Sequence, residues 1–201
     1  MNPPAHARDE DRISWIHHAL MNPLTVIIGY AEMLSQSKGI SEDARGQAVH
    51  ILEQARECAR IIERYGRGPQ PAKPEGETRK TAVARRRILA VDDEAAILKL
   101  VSEVLGSEHH VLGCADADEA LQQLLVDEFD VVFLDLNLGQ FVSGRELYRT
   151  LLLQQPEVAS RVVFMTGGAV TDDEQDFLDN CGRPFLAKPF DFAVLRELAR
   201  G

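Results

Sequence analysis

Cysteine is scarce in this chain of 201 residues: Cys58, Cys114 and Cys181 are an odd number, far apart, with no CxxC pair. That excludes a disulfide framework or a zinc knuckle and suits a reducing compartment. Long apolar runs are missing as well. None approaches the ~18–20 residues of a membrane span, and the polar start MNPPAHARDEDR has no signal-peptide character. The expectation is a cytoplasmic protein without membrane contact. Hydrophobic residues at 45% and charged residues at 27% still allow a normal core and exclude wholesale disorder. At roughly 100–200 residues per domain, the length suits one ordinary domain plus a small one.

Positive charge is lacking where a nucleic-acid surface would need it. The net charge is −10, unevenly spread. Residues 1–65 carry 7 Lys+Arg against 9 Asp+Glu, residues 66–87 carry 7 against 2, and residues 88–201 carry 8 against 21. Phosphate contacts require a basic surface, so the acidic C-terminal half implies no nucleic-acid partner. The basic stretch GRGPQPAKPEGETRK holds Pro69, Pro71 and Pro74 and almost nothing apolar. It cannot bury a core and reads as a linker. A nucleic-acid contact by Arg85-Arg86-Arg87 is the weaker alternative. The chain thus divides into residues 1–65, a Pro/Gly/basic linker over 66–86, and residues 87–201.

Residues 9–38 carry helical periodicity. With Ile13 at heptad position a, Leu20, Ile27 and Leu34 share that position, Ile16 and Tyr30 fall at d, and Leu24 and Ala31 widen the stripe at e. A break at Ser37-Lys38-Gly39 follows, and Ser41 is a candidate N-cap for a second helix to Tyr65. Two such helices form a hairpin that cannot cover its own apolar stripe. A second copy completes a four-helix bundle, so a homodimer through residues 9–65 is expected. Asp11, His18, Thr25 and Glu32 occupy position f, away from the seam, which places His18 toward solvent. Asn22 lies one turn later on the same face. Pro23 inside the helix costs about 3 kcal/mol and implies a kink beside His18.

Residues 87–201 alternate short apolar runs with helical patterns. Strands are expected at 87–91, 111–115, 131–134, 161–165 and 184–187, and helices at about 94–106, 117–127, 143–153, 172–180 and 191–199. This alternation predicts an α/β fold with a five-stranded, doubly wound parallel sheet. In such sheets the ligand site lies beyond the carboxyl ends of the strands. Those ends hold Asp92-Asp93, Asp135, Thr166-Gly167-Gly168 and Lys188-Pro189. Converging carboxylates need a cation, and hard oxygen donors favour Mg2+. Asp135 can attack a phosphoryl group, with Lys188 and the metal neutralising charge on its oxygens. Thr166 can donate a hydrogen bond to the phosphate.

These residues resemble a response-regulator receiver domain, with its flavodoxin-like fold, across the whole C-terminal unit. The acidic pair, Asp135 in FLDLNL, Thr166 in FMTGG and Lys188 in KPF all match. The resemblance implies that Asp135 accepts phosphate, that Asp92, Asp93 and Asp135 hold Mg2+, and that Thr166 and Lys188 sense the phosphoryl group. Phe185 matches the switch aromatic. The loop LNLGQFVSG departs, with Gly139 where the family has proline and one extra residue before Gly144. Residues 9–65 resemble the dimerisation and phosphoacceptor hairpin of sensor histidine kinases through HALMNPL, with His18 at the phosphoacceptor position and Asn22 keeping the family's amide. Ala19 replaces the family's acid.

No P-loop GxxxxGK[ST] is present, and a linker of about 20 residues cannot hold a nucleotide-binding domain. The chain looks like a hybrid histidine kinase without its ATP-binding domain, and no autokinase activity is expected. Three functions remain open. The first is phosphorelay, with a separate histidine kinase or phosphotransfer protein as donor and a downstream response regulator or other protein as target. The second is a dimeric docking module switched by receiver phosphorylation. The third is a phosphatase of a partner receiver.

Overall fold

A computed structural model describes residues 9–65, 85–138, 142–167 and 172–201, with residues 9–15, 63–65 and 172 in backbone only. The 66–84 part of the linker, Gly139, Gly168 and the side chains of Asp11 and Ile13 lie outside that description. The chain divides into two compact units, one carrying an N-terminal helical hairpin and the other most of a parallel sheet.

The hairpin pairs α1 (Asp9–Gln36) with α2 (Glu42–Tyr65), and α1 continues helical through Pro23. Its turn is built as the sequence implies. Gly39 takes φ +88°, a left-handed conformation that suits glycine. The Ser41 hydroxyl accepts from the Ala44 N–H at 3.1 Å, which caps α2. The Arg45 guanidinium donates to the Ser35 and Ser37 carbonyls, closing the end of α1. Arg56 and Glu32 pair across the helices at 3.0 Å.

The inner face differs from the heptad reading. Met21, Ile28, Ala55 and Ala59 form the hairpin core, with Leu24, Leu52 and Ile62 against it. The residues assigned to positions a and d, Ile16, Leu20, Ile27 and Leu34, stay 44–45% exposed. Val49, Ile51 and Ile61 of α2 are exposed too. The helix therefore has two apolar faces: one meets its own α2 and the other is left for a neighbour. That is the requirement of a bundle rather than of a lone pair. Thr25, read as solvent-facing, is buried, and its hydroxyl donates to the Met21 carbonyl at 2.8 Å.

The sheet consists of β1 (Arg87–Val91), β2 (His110–Cys114), β3 (Val131–Asp135), β4 (Val162–Thr166) and β5 (Phe185–Ala187), in the order β2-β1-β3-β4-β5. Three registered pairs, Leu89 with Leu112, Ala90 with Phe133 and Leu134 with Phe164, all run parallel. The helices are α3 (Ala95–Leu105), α4 (Ala117–Val126), α5 (Gly144–Gln154), α6 (Pro156–Ala159), α7 (Asp172–Cys181) and α8 (Phe192–Arg200). Each expected element forms within two residues of its sequence boundaries. The addition is α6, a single turn started by Pro156, whose missing N–H costs nothing at a first helical position. Strands β3 and β4 are buried throughout, as a sheet covered on both faces requires. Tyr148 of α5 meets Phe164 of β4 edge to face, at 5.1 Å and 72°. The caps follow sequence: Asp116, Ser143 and Asp191 side chains accept from the first amides of α4, α5 and α8. Among the described residues no helix is long and apolar enough to cross a membrane.

Two predictions follow from burial. Cys58 is exposed, whereas Cys114 is buried and its thiol is pushed up to about 11 by burial, with Glu119 and Asp116 adding to the shift. A maleimide at pH 8 should label Cys58 within minutes and leave Cys114 unreacted until denaturant is added. Peptide mapping that finds both equally labelled would contradict this packing. For the open face of α1, Leu20→Glu combined with Ile27→Glu should give a monomer by light scattering at concentrations where the wild type is a dimer. Each side chain half-exposed there gives up roughly half of the ~1.5–3 kcal/mol of full burial. A wild-type mass kept by the double variant would remove this face as the interface.

Candidate functional site

In the order β2-β1-β3-β4-β5 the chain reverses direction between β1 and β3, which opens a crevice beyond their carboxyl ends. Asp92 follows β1 directly and Asp135 is the last residue of β3; both are fully buried. Strand β4 ends in Thr166, buried, and Lys188 follows β5, also fully buried. Asp92, Asp135 and Thr166 thus stand at the carboxyl ends of parallel strands of one sheet, and Lys188 directly follows the fifth strand.

Local structure explains each position. Asp92 lengthens the ladder, its N–H donating to the Cys114 carbonyl at 3.1 Å, and its Oδ1 accepts from the Glu94 N–H at 2.9 Å. One oxygen is thereby fixed by the start of α3. Asp93 is exposed, and one of its carboxylate oxygens lies within 4.8 Å of one from Asp135. After Asp135 the chain turns back tightly: the Leu136 N–H donates to the Met165 carbonyl at 3.0 Å, and the Gly144 N–H to the Leu136 carbonyl at 3.1 Å. A Cβ at Gly144 would collide with the Asp135 carbonyl oxygen. Gly144 thus holds the first turn of α5 against the backbone of Asp135. The Ser143–Glu146 capping box locks that turn, and its hydrogen bonds hold the Glu146 carboxyl below the usual range. The Lys188–Pro189 bond is cis, and Phe190 beyond it is buried. Phe185, at the start of β5, is half-buried.

The donor set passes a chemical test for Mg2+. Asp93 and Asp135 offer hard oxygens at a spacing one cation can bridge, with Asp92 beside them in sequence and Asp93 open to water. Buried carboxylates such as Asp92 and Asp135 require compensating charge, which a cation held there would supply.

The hairpin carries the second candidate pair. His18 is half-buried on α1 rather than fully solvated, and the Asn22 Nδ2 lies 3.2 Å from its Nε2. With the amide in this orientation Asn22 donates, and Nε2 carries the ring's lone pair.

Sequence reasoning placed Asp92, Asp135, Thr166 and Lys188 at strand ends, where the structure has them, but missed the contacts that hold Asp92 and Asp135. The Glu94 main-chain amide leaves no signal in residue identity. Gly144 left one, a glycine opening a helix after an acidic strand end, which was read only as a loop boundary.

Comparisons with known proteins agree with this geometry. The family model "Response regulator receiver domain" matches residues 88–200, and "His Kinase A (phospho-acceptor) domain" matches residues 12–65. The alginate biosynthesis transcriptional regulatory protein AlgB of Pseudomonas putida is 34% identical over 104 residues, 51% of this chain and 22% of that protein. The transcriptional regulatory protein ComA of Bacillus subtilis is 26% identical over 91 residues, 43% of this chain and 42% of its own. The chain thus spans well under half the length of these curated relatives. A CheY-like receiver domain protein from Methanospirillum hungatei superposes with TM-score 0.51 at 28% identity, covering 57% of this chain and 90% of that one. NtrX from Brucella abortus, solved in complex with ADP, gives 0.52 at 31% identity over 58% of this chain and 26% of its own. The chain belongs to the response-regulator receiver family and carries a histidine-kinase phosphoacceptor domain ahead of the receiver, which makes it a two-component signalling protein.

Proposed function

We propose that this protein is a phosphorelay component in which Asp135 accepts a phosphoryl group and His18 exchanges one with a receiver aspartate. The single observation that carries the reading is a fully buried Asp135 at a strand end, with a carboxylate oxygen within 4.8 Å of Asp93. An Asp135 oxygen attacks phosphorus, an O–P bond forms, and the donor's P–N bond breaks with its electron pair returning to the imidazole. Lys188 offsets charge on the phosphoryl oxygens, and Thr166 donates a hydrogen bond to one of them. Asp92, Asp93 and Asp135 would hold Mg2+, which supplies further charge neutralisation at those oxygens. At His18 the Nε2 lone pair is the nucleophile, released when Asn22 gives up its hydrogen bond.

In this reading the phosphoryl donor is a separate histidine kinase or phosphotransfer protein, and the acceptor is a downstream response regulator or other protein. The working boundaries are a hairpin over 1–65, a linker over 66–86 and a receiver over 87–201, acting as a homodimer in the cytoplasm. A second reading, phosphatase action on a partner receiver, is favoured by the Asn22 amide held beside His18, where it could orient a water. Loss of the effect in Asn22→Ala, when the full chain is added to a phosphorylated receiver, separates that reading from simple relay.

Incubation with radiolabelled phosphohistidine donor should label the wild type in Mg2+, with at least ~100-fold less label on Asp135→Asn, the scale of losing a catalytic nucleophile or its activation. Equal labelling of Asp135→Asn would overturn the reading. His18→Gln should still be labelled on the receiver but fail to pass phosphate onward. Gly144→Ala forces the Asp135 backbone aside, and overpacking of this kind costs about 1–3 kcal/mol. Urea denaturation should show that loss together with weaker binding of beryllofluoride, and unaltered beryllofluoride binding would show that the turn does not position Asp135.

A further inference from the structure

The far end of the sheet, where β1 begins, closes in an unusual way. Chain leaving the linker enters β1 at Arg86 and Arg87. The Arg86 carbonyl accepts from the His110 N–H at 2.8 Å, so the β1–β2 ladder already extends one residue before the strand. The Arg86 N–H points the same way, but β2 has not begun at that level and offers no ladder carbonyl. The His109 side chain supplies the acceptor instead: its Nδ1 lies 3.3 Å from the Arg86 nitrogen. On the β3 side the matching amide, Arg87 N–H, donates to the Asp130 carboxylate at 2.8 Å. Two side chains therefore finish the sheet where the linker joins it.

We infer that His109 is a pH-sensitive latch, holding the linker's last residue onto the sheet while its ring is neutral and releasing it on protonation. An imidazole can accept at Nδ1 only when that nitrogen lacks a proton, so the ring proton sits on Nε2. Nε2 is buried and has no hydrogen-bond partner among the described residues. The ring is 2% exposed, and its own main-chain N–H donates to the Leu105 carbonyl at 2.9 Å, which fixes it against the end of α3. Protonation would place an N–H against the Arg86 N–H and a charge in a buried site, and either is relieved by letting the Arg86 segment go.

Burial favours the neutral ring, and the charged neighbours are mixed in sign. Burial is the largest influence and lowers its pKa below the usual 6.5. Glu108, from the turn before β2, raises it; Arg200 of α8 and Arg86 lower it; Asp130, before β3, raises it. Glu108 is already engaged by Arg200 at 3.0 Å and Arg196 at 3.7 Å, and Asp130 by Arg87, so neither carboxylate is given over to an imidazolium. Because the folded value lies below the unfolded one, the latch contributes fully above about pH 6.5 and is lost as pH falls through the folded value. The Arg85-Arg86-Arg87 run, which the charge pattern alone offered only to a linker or a nucleic acid, acquires a specific role here. Its middle amide is the latched group, and Arg87 is tied down by Asp127 at 2.9 Å and by the Phe129 ring at 5.5 Å.

The test is amide hydrogen exchange of the full chain between pH 7.5 and 5, each rate divided by its intrinsic value at that pH. Protection of Arg86 should fall at least about fivefold on acidification, the scale of one net hydrogen bond. The neighbouring Arg87 amide, held by Asp130, should keep its protection. His109→Gln presents an amide oxygen but does not titrate, and its Arg86 protection should be flat across the same range. A flat profile in the wild type, or the same fall in His109→Gln, would overturn the latch. Imidazole nitrogen shifts of the wild type decide the matter independently of any variant: an unprotonated Nδ1 at pH 7.5 supports it, and a proton on Nδ1 defeats it.

Discussion

The C-terminal edge of the sheet depends on an electrostatic compromise. Two carboxylates, Asp92 and Asp135, are withdrawn from water entirely, and Lys188, which follows β5, is buried too. A buried carboxylate alone would take up a proton, because the charged form loses its hydration. In the proposed phosphoryl transfer, compensating charge for Asp135 would come from a divalent cation held with the help of Asp93. The rest of the unit serves that balance. Parallel strands present their ends in one plane, the turn through Gly144 presses α5 onto the Asp135 backbone, and the Glu94 amide holds one Asp92 oxygen in place.

The same logic of incomplete satisfaction runs through the hairpin, in apolar rather than charged form. Among the described residues its apolar core is small: Met21, Ile28, Ala55 and Ala59, with Leu24, Leu52 and Ile62 packed against them. The exposed row from Ile16 to Leu34 leaves more apolar surface than a lone hairpin of this size can carry in water. A dimeric bundle would cover that row, and the proposed phosphoryl chemistry uses a different side of α1, with His18 and Asn22. Asn22 has a chemical reason to sit one turn from His18: an amide that donates to Nε2 selects the ring tautomer whose lone pair is on that atom.

The two ends of the sheet do different work. The proposed chemistry uses the residues where the strands finish. Where the strands begin, polar side chains turn inward to finish the backbone ladder, with His109 and Asp130 standing in for absent strand carbonyls. That second end joins the linker, so the state of one imidazole bears on how firmly the receiver holds the chain arriving from the hairpin.

Much of this was legible in residue order. Alternating apolar runs and helical patterns determined the doubly wound sheet, because a strand buried on both faces must be apolar throughout. Asp92, Asp93, Asp135, Thr166 and Lys188 fell at or just after strand ends for the same reason, since the apolar runs set where each strand stops. The cap at Ser41 was equally local. What the tertiary structure decided were matters of facing and fit. The heptad frame could not tell which of two apolar rows on α1 meets α2, because periodicity locates a stripe but not its partner, and it set Thr25 in solvent when it is buried. Nothing in the letters marked His109, since its role depends on β2 starting one residue too late to offer Arg86 a carbonyl. Gly144 looked like an ordinary loop end until the Asp135 carbonyl was seen lying where its Cβ would be. Side-chain identity set the chemistry available to this protein; the approach of one backbone to another, which only the packed chain defines, chose where that chemistry is held and what holds it.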